Sequence, residues 1–150
     1  MTEIIHRLEN SAPDLYSALS KSSGAELRSI ALSVCTMAVS QTELAFPIIG
    51  KVMQHLRNGE QVSDQLHSEL KQLVVSLDDK YLPEDLEEDV DHDASAELFF
   101  VQARAASAVL FALSDDTFVA ASESTYEALA ATEDVDAIAR IIATATSTVS

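Results

Sequence analysis

The sequence predicts an all-α fold: one domain over residues 1–150, built as a bundle of about seven helices with two apolar helices at its centre. Three glycines and three prolines are too few for the turns of a sheet protein. Apolar residues recur instead at intervals of three and four, which is the period of a helix with one buried face. A hydrophobic content of 47% is sufficient for a core in a chain of this length.

The first quarter of the chain predicts a short pair of helices followed by a long one. Pro13 suits the first turn of a helix that starts after Ser11, because its missing N–H group is not needed there. Gly24 should separate this pair from the next helix. Residues 25–42 are apolar nearly all round, a pattern typical of a helix at the centre of a bundle.

Two further helices are predicted before the middle of the chain. Pro47 should begin or kink a helix, since proline cannot donate a backbone hydrogen bond, and Asn58-Gly59 should end it. The next helix is amphipathic. Its apolar face is formed by Leu66, Leu70, Leu73, Leu77 and Tyr81.

The second half of the chain predicts three helices. Residues 94–113 are rich in alanine and apolar nearly all round, so this helix is predicted to be the second central one. Asp115 and Asp116 are good N-caps for a helix that contains Phe118, in which the apolar period is weaker and one side is expected to face water. The C-terminal helix is clearly amphipathic. Its apolar face is formed by Val135, Ile138, Ile142, Ala145 and Val149.

Acidic residues are concentrated in one segment. The net charge is −2 for residues 1–75 and −14 for residues 76–150, and the link of about 80–93 lies within the densest part. Ten carboxylates fall within twenty residues: Asp78, Asp79, Glu84, Asp85, Glu87, Glu88, Asp89, Asp91, Asp93 and Glu97. Such a field repels nucleic acid and anionic lipid and attracts a basic protein surface, so neither nucleic acid nor a membrane is expected as a partner.

Several features predict a cytoplasmic protein. The N-terminal stretch 1–10 has no apolar core of a secretory signal, and the apolar stretch 98–113 is shorter than a membrane span. Cys35 is the only cysteine, so no internal disulfide can form. Because Cys35 lies inside an apolar helix, it is predicted to be a small buried hydrophobe rather than a nucleophile.

The acidic link contains a partial calcium-binding pattern. Asp89, Asp91 and Asp93 match the first three ligand positions of a calcium loop. The match then fails, because Ala94 stands where glycine is needed and Phe100 where a bidentate glutamate is needed. A solvated acidic loop that binds divalent ions loosely is the favoured interpretation, and no cofactor is expected.

Other candidate metal or catalytic patterns are equally incomplete. Glu3 and His6 have the Glu-x-x-His spacing of a di-iron bundle, which Asp89 and His92 repeat with a shorter acid, but such a site needs two further glutamates. His55 and His67 have no ligand partner at metal-binding spacing and are predicted to be surface histidines. Since no nucleophile elbow or phosphate-binding loop is present, the chain is not expected to be an enzyme.

Arg104 is the one charged residue between Leu98 and Leu113, in an otherwise apolar helical segment. An unpaired buried cation is very costly, so the sequence predicts an internal ion pair, with Glu123 or Glu127 of the next helix as the partner. Such a pair would fix the register of the two helices.

The alanine-rich stretch 99–113, followed by Tyr126-Glu127-Ala128, resembles the paired helices of small all-helical immunity proteins. These proteins are the cytoplasmic antidotes of contact-dependent and other polymorphic bacterial toxins. The resemblance covers about the last third of the chain. It implies a protein that binds a toxin domain through an acidic face and has no catalytic role.

Two functions are therefore compatible with the sequence. In the first, the chain is an immunity protein that occludes a basic toxin domain, such as a nuclease, through its acidic link. In the second, it is a helical scaffold or regulatory module whose acids only increase solubility. The residues predicted to face the partner are Asp85, Glu87, Glu88, Asp89, Asp91 and Asp93. A toxin domain encoded directly upstream would favour the first function.

Overall fold

The computed structural model describes residues 7–81 and 94–146, and in these ranges it contains eight α-helices and no strand. The predicted all-α fold is confirmed, with one helix more than the expected seven. The helices are α1 (Arg7–Ser11), α2 (Pro13–Ser20), α3 (Gly24–Gln41), α4 (Pro47–Asn58), α5 (Asp64–Tyr81), α6 (Ala94–Ala112), α7 (Thr117–Thr132) and α8 (Val135–Thr146). Within the described ranges, no helix combines the length and the apolarity that crossing a membrane requires.

Local sequence signals explain where several helices begin and end. Pro47 starts α4, and the turn after α4 is closed by Gly59 in the left-handed conformation, with φ of 68°. Asp116 caps α7 by accepting hydrogen bonds from the backbone N–H groups of Phe118 and Val119, as predicted. α3 begins with a capping box that the sequence analysis did not identify, in which Ser23 and Glu26 bond reciprocally.

Three long helices form the centre of the bundle. α3 and α7 are parallel: Gly24 lies beside Thr117 where they start, and Gln41 bonds Asp134 just past the end of α7. α6 packs against both in the opposite direction, so that Gln102 in its first half reaches the backbone that follows α3. The prediction that α3 and α6 are central is therefore confirmed.

The prediction for α7 was incomplete. One side of this helix was expected to face water. A stripe of half-buried residues does so in part (Val119, Glu123, Tyr126 and Ala130), but none of the sixteen residues is fully exposed. α7 contacts α1, α2, α3, α6 and α8, so neighbouring helices cover most of its surface. Its residues are mostly small, which gives no strong periodic signal in the sequence.

The remaining helices surround this centre. α5 packs against α6, α8 packs against α3, α1 and α2 cover α7, and α4 contacts α3, α5 and α6. Fully buried leucines and isoleucines from these outer helices complete the core, for example Leu19 from α2, Ile49 from α4, Leu70 from α5 and Ile138 from α8. Burial of each such side chain stabilises the fold by about 1.5–3 kcal/mol.

Candidate functional site

The six predicted partner-binding acids lie outside the described residues. The same is true of the three aspartates of the partial calcium pattern and of the Glu3–His6 and Asp89–His92 pairs, so these interpretations stay predictions. Among the described residues, no group of three or more His, Cys, Asp or Glu side chains is arranged to hold a metal ion. The structure does show where the predicted link is attached, because α5 ends at Tyr81 and α6 begins at Ala94.

Both attachment points lie at one end of the bundle. Nε2 of Gln102 donates to the carbonyl oxygen of Thr42 at 3.2 Å, which places the first half of α6 beside the end of α3. Nε2 of Gln41 donates to Oδ2 of Asp134 at 3.2 Å, which brings the end of α7 to the same place. α5 and α6 are antiparallel, because Asp64 at the start of α5 and Ala112 at the end of α6 line one cleft, while Asp78 near the end of α5 bonds Arg104. The helix ends that flank the link therefore converge where α3 and α7 end.

We call this surface the acidic end. It is defined by Glu43, Asp79, Glu133, Asp134 and Asp136, of which all but Asp134 are exposed. Glu43 and Glu133 adopt the left-handed backbone conformation, with φ of 56° and 54°. Among the described non-glycine residues, only these two have positive φ, a conformation that costs a side-chain-bearing residue about 1–3 kcal/mol. The local strain is therefore confined to the turns of the acidic end.

Asp134 organises the junction between α7 and α8. Its Oδ1 accepts a hydrogen bond of 3.1 Å from the backbone N–H of Ala137, so it caps α8, and its Oδ2 accepts the bond from Gln41. The Ala137 bond, the Gln41 bond and the charge of Arg140 lower the pKa of Asp134, and partial desolvation opposes them only in part. Asp134 is thus held in its ionised form.

Apolar side chains accompany these acids. Phe46, Leu98 and Val135 are 36%, 42% and 48% exposed, and they make up three of the four large hydrophobic residues that are exposed in the described ranges. Phe46 follows the end of α3, Leu98 lies one helical turn before Gln102, and Val135 opens α8. The acidic end therefore combines negative charge with exposed apolar surface.

The predicted ion pair of Arg104 is confirmed, and it includes a second acid. Nη1 of Arg104 lies 2.9 Å from Oε1 of Glu127 on α7, and Nη2 lies 3.0 Å from Oδ1 of Asp78 on α5. Glu127 is only 2% exposed, and the guanidinium carbon lies 5.9 Å from the centre of the Phe100 ring. One guanidinium thus joins α5, α6 and α7 next to the acidic end. No local pattern indicates Asp78 as a partner, because it is 26 residues from Arg104.

Cys35 is fully buried, as predicted. Burial raises the pKa of its thiol to about 12, and a hydrogen bond with the Ser124 side chain offsets this only partly. The hydroxyl of Ser124 in turn donates to the carbonyl oxygen of Ala108 at 2.7 Å. These contacts join α3, α7 and α6, so Cys35 belongs to the packing of the core.

The two histidines lie at the surface, as predicted, and both are half-buried. They line a cleft of about 510 Å³ at the end of the bundle opposite the acidic end. We call it the histidine cleft; its charged and imidazole-bearing lining residues are Arg28, His55, Glu60, Asp64, His67 and Asp115.

Comparison of the chain with protein-family models, with curated proteins and with solved structures gives no match.

Proposed function

We propose that the chain is a cytoplasmic immunity protein, which neutralises a cognate toxin domain by binding over its basic active site. A nuclease is the toxin class that best fits this proposal, because a nuclease active site accepts a phosphate backbone and a row of carboxylates can imitate it. Inhibition would be stoichiometric, so the immunity protein itself would catalyse no reaction.

The observation that supports the proposal best is the composition of the acidic end. Protein interfaces commonly have an apolar centre that excludes water and a polar rim that provides specificity. Phe46, Leu98 and Val135 could form such a centre, while the acids of the acidic end could form the rim. The predicted acids of 85–93 would extend this rim, since the flanking helices α5 and α6 converge at the same end of the bundle.

Opposite charges on the immunity protein and the toxin domain would also attract each other before the two proteins come into contact. Complementary charge raises association rates to about 10⁸–10⁹ M⁻¹s⁻¹ at low salt, well above the rates of neutral pairs. An antidote benefits from this because an incoming toxin must be bound before it damages the cell. Carboxylates would therefore determine mainly the association rate, whereas apolar side chains at the centre would determine mainly the dissociation rate.

The proposal predicts that a toxin domain is encoded directly upstream, and co-expression with that domain tests it. We expect cell survival and a 1:1 complex on size-exclusion chromatography with light scattering. Replacement of the six predicted acids by their amides should abolish protection at limiting expression and remove most of the salt dependence of the association rate. Folding stability should stay unchanged or rise, because like charges repel one another.

A matched control removes the same number of charges elsewhere on the surface. The control carries amides at Glu9, Asp14, Glu60, Asp64, Glu69 and Asp115. If this variant and the first one lose protection equally, net charge rather than a defined surface is responsible. If neither loses protection, the acids serve only solubility and the scaffold interpretation is favoured.

A second pair of variants examines the apolar centre. Leu98→Ser and Val135→Ser should each increase the dissociation rate by about tenfold while leaving the association rate nearly unchanged, because truncation of a buried interface side chain costs roughly 1–2 kcal/mol. Ala25→Ser is the control, since Ala25 is also exposed but lies near the start of α3, at the opposite end of the bundle. Surface plasmon resonance separates the two rates.

A further inference from the structure

The end of α4 carries the pair Asn58-Gly59, in which a side-chain amide is followed by the least hindered backbone nitrogen that an amino acid can supply. Both residues are exposed. The chain contains one other asparagine, Asn10, which is also exposed but is followed by Ser11. The two asparagines therefore differ mainly in the residue that comes next.

An Asn-Gly pair can lose ammonia without an enzyme. The backbone nitrogen of Gly59 attacks Cγ of Asn58, the bond from Cγ to Nδ2 breaks, and Nδ2 leaves as ammonia with the proton of the Gly59 N–H group. The product is a five-membered succinimide ring. Water then opens this ring at one of its two carbonyl groups, which leaves either aspartate or isoaspartate at position 58. Glycine favours the attack because it has no Cβ to hinder its nitrogen.

The folded end of α4 holds this pair away from the reacting geometry. Ring closure requires Asn58 to leave the helical range of ψ, which is centred near about −42°. The N–H group of Gly59 donates to the carbonyl oxygen of Leu56 at 3.3 Å, and that of Glu60 donates to the carbonyl oxygen of His55 at 2.9 Å. Gly59 completes this C-terminal cap in the left-handed conformation. The attack therefore requires the last turn of α4 to open.

A side-chain contact also restrains this turn. Nδ1 of His55 lies 3.1 Å from Oε1 of Glu60, and the two side chains are 36% and 58% exposed. A pair that is so exposed is weak, and helix ends open far more readily than whole domains. The first two turns of α4 are anchored in the core by Ile49, Val52 and Met53. The last turn can therefore open while the rest of the helix stays packed.

We propose that Asn58 is a site of spontaneous deamidation in the folded protein, and that opening of the last turn of α4 sets the rate. The product adds a negative charge at the C-terminal end of a helix, where the helix dipole disfavours it. Isoaspartate also adds a methylene group to the backbone and so disrupts the cap. The modified chain should therefore have a lower thermal denaturation midpoint. The proposal is independent of the immunity function, since Gly59 and Glu60 line the histidine cleft, at the opposite end of the bundle from the acidic end.

Peptide mapping by mass spectrometry tests the proposal on the full-length protein, kept at neutral pH either folded or unfolded in guanidinium chloride. Over several weeks the folded protein should accumulate aspartate and isoaspartate at position 58, and Asn10 should convert much more slowly. Conversion of Asn58 in guanidinium chloride should be at least about tenfold faster, because the last turn is then always open. No conversion at Asn58 in the folded protein, or equal rates in the folded and unfolded protein, would refute the proposal.

Two variants test whether the cap sets the rate. Glu60→Ala removes the contact with His55 and should accelerate conversion of Asn58 in the folded protein by about two- to fivefold, the effect of one exposed pair on the opening of the turn. Glu69→Ala removes an exposed carboxylate from α5 and should leave the rate unchanged. In guanidinium chloride the parent and both variants should convert equally. If Glu60→Ala converts no faster than the parent when folded, or is accelerated as much in guanidinium chloride, the last turn of α4 does not control the reaction.

Discussion

α3 and α7 are parallel and both contact α6, but they bury different kinds of side chain. α3 buries one face with large apolar residues such as Leu27, Ile30 and Val34, and it exposes polar residues on the other face. α7 is covered more completely than α3, and its buried residues are small or polar, with Glu127 among them. The comparison shows two ways to make a central helix: large apolar contacts on one side, or small residues together with polar groups that find partners inside.

The largest change in folding stability is expected at the buried ion pair of α7. Glu127→Leu should cost about 3–5 kcal/mol of folding stability, because it leaves the partly buried Arg104 with only Asp78 as an acid partner. Arg104→Met should cost a similar amount, since a nearly fully buried carboxylate would then lack its cation. Urea denaturation with a constant m-value measures both effects.

The double variant Arg104→Met/Glu127→Leu provides the control for this prediction. Replacement of both partners by apolar residues removes the unpaired charge, so its stability should return to within about 1 kcal/mol of the parent. Asp78→Asn should cost only about 0–1 kcal/mol, because Asp78 is partly exposed. If the two single substitutions prove harmless, the interior of α7 tolerates unpaired charge and the distinction between the helices fails.

An intermediate effect is expected from the small residues of α7. Ala121 is completely buried between neighbouring helices, so Ala121→Leu should cost about 1–3 kcal/mol through overpacking. The matched substitution Ala25→Leu adds the same atoms to an exposed position of α3 and should change stability by less than about 0.5 kcal/mol. Equal thermal denaturation midpoints for the two variants would show that α7 is loosely packed.

The smallest change in folding stability is expected at Asp134, where α3 and α7 end. Its pKa is lower in the folded state than the ordinary value of 3.8, so its contribution to stability is complete above pH 3.8 and is lost as the pH falls through the folded-state pKa. Asp134→Asn keeps an oxygen acceptor for the cap but cannot titrate. Stability of the parent should therefore decline more steeply than that of the variant in this acid range.

Urea denaturation at a series of pH values measures this difference. Asp79→Asn is a suitable control, because it removes an exposed carboxylate from the same end of the bundle. If the parent and Asp134→Asn have the same pH dependence, the bonds from Gln41 and Ala137 do not favour the charged form.

Local signals in the sequence were sufficient for much of the helix pattern. Pro47, Gly59 and Asp116 act through their own backbone or through neighbours within three residues, so their effects can be predicted without the fold. The extent to which α7 is buried could not be predicted in this way, because its small side chains give only a weak hydrophobic period. The covering of α7 depends on how α1, α2, α3, α6 and α8 are arranged around it.

Prediction of the ion-pair partners of Arg104 has the same limit. A pairing of Arg104 with the following helix could be predicted, since α6 and α7 are adjacent in the chain and their register restricts the choice to Glu123 or Glu127. Asp78 was not predicted, because its approach depends on how α5 packs against α6. The histidine cleft was also missed, since its residues come from five separate helices and share no motif.

The burial of Cys35 has a practical consequence for chemical labelling. A thiol reagent should react with the folded protein extremely slowly, because the sulfur is inaccessible and its thiolate is scarce at neutral pH. A cysteine introduced at an exposed position could therefore carry a spectroscopic probe without removal of the native one. The rate at which Cys35 is slowly labelled would report how often α3 and α7 separate.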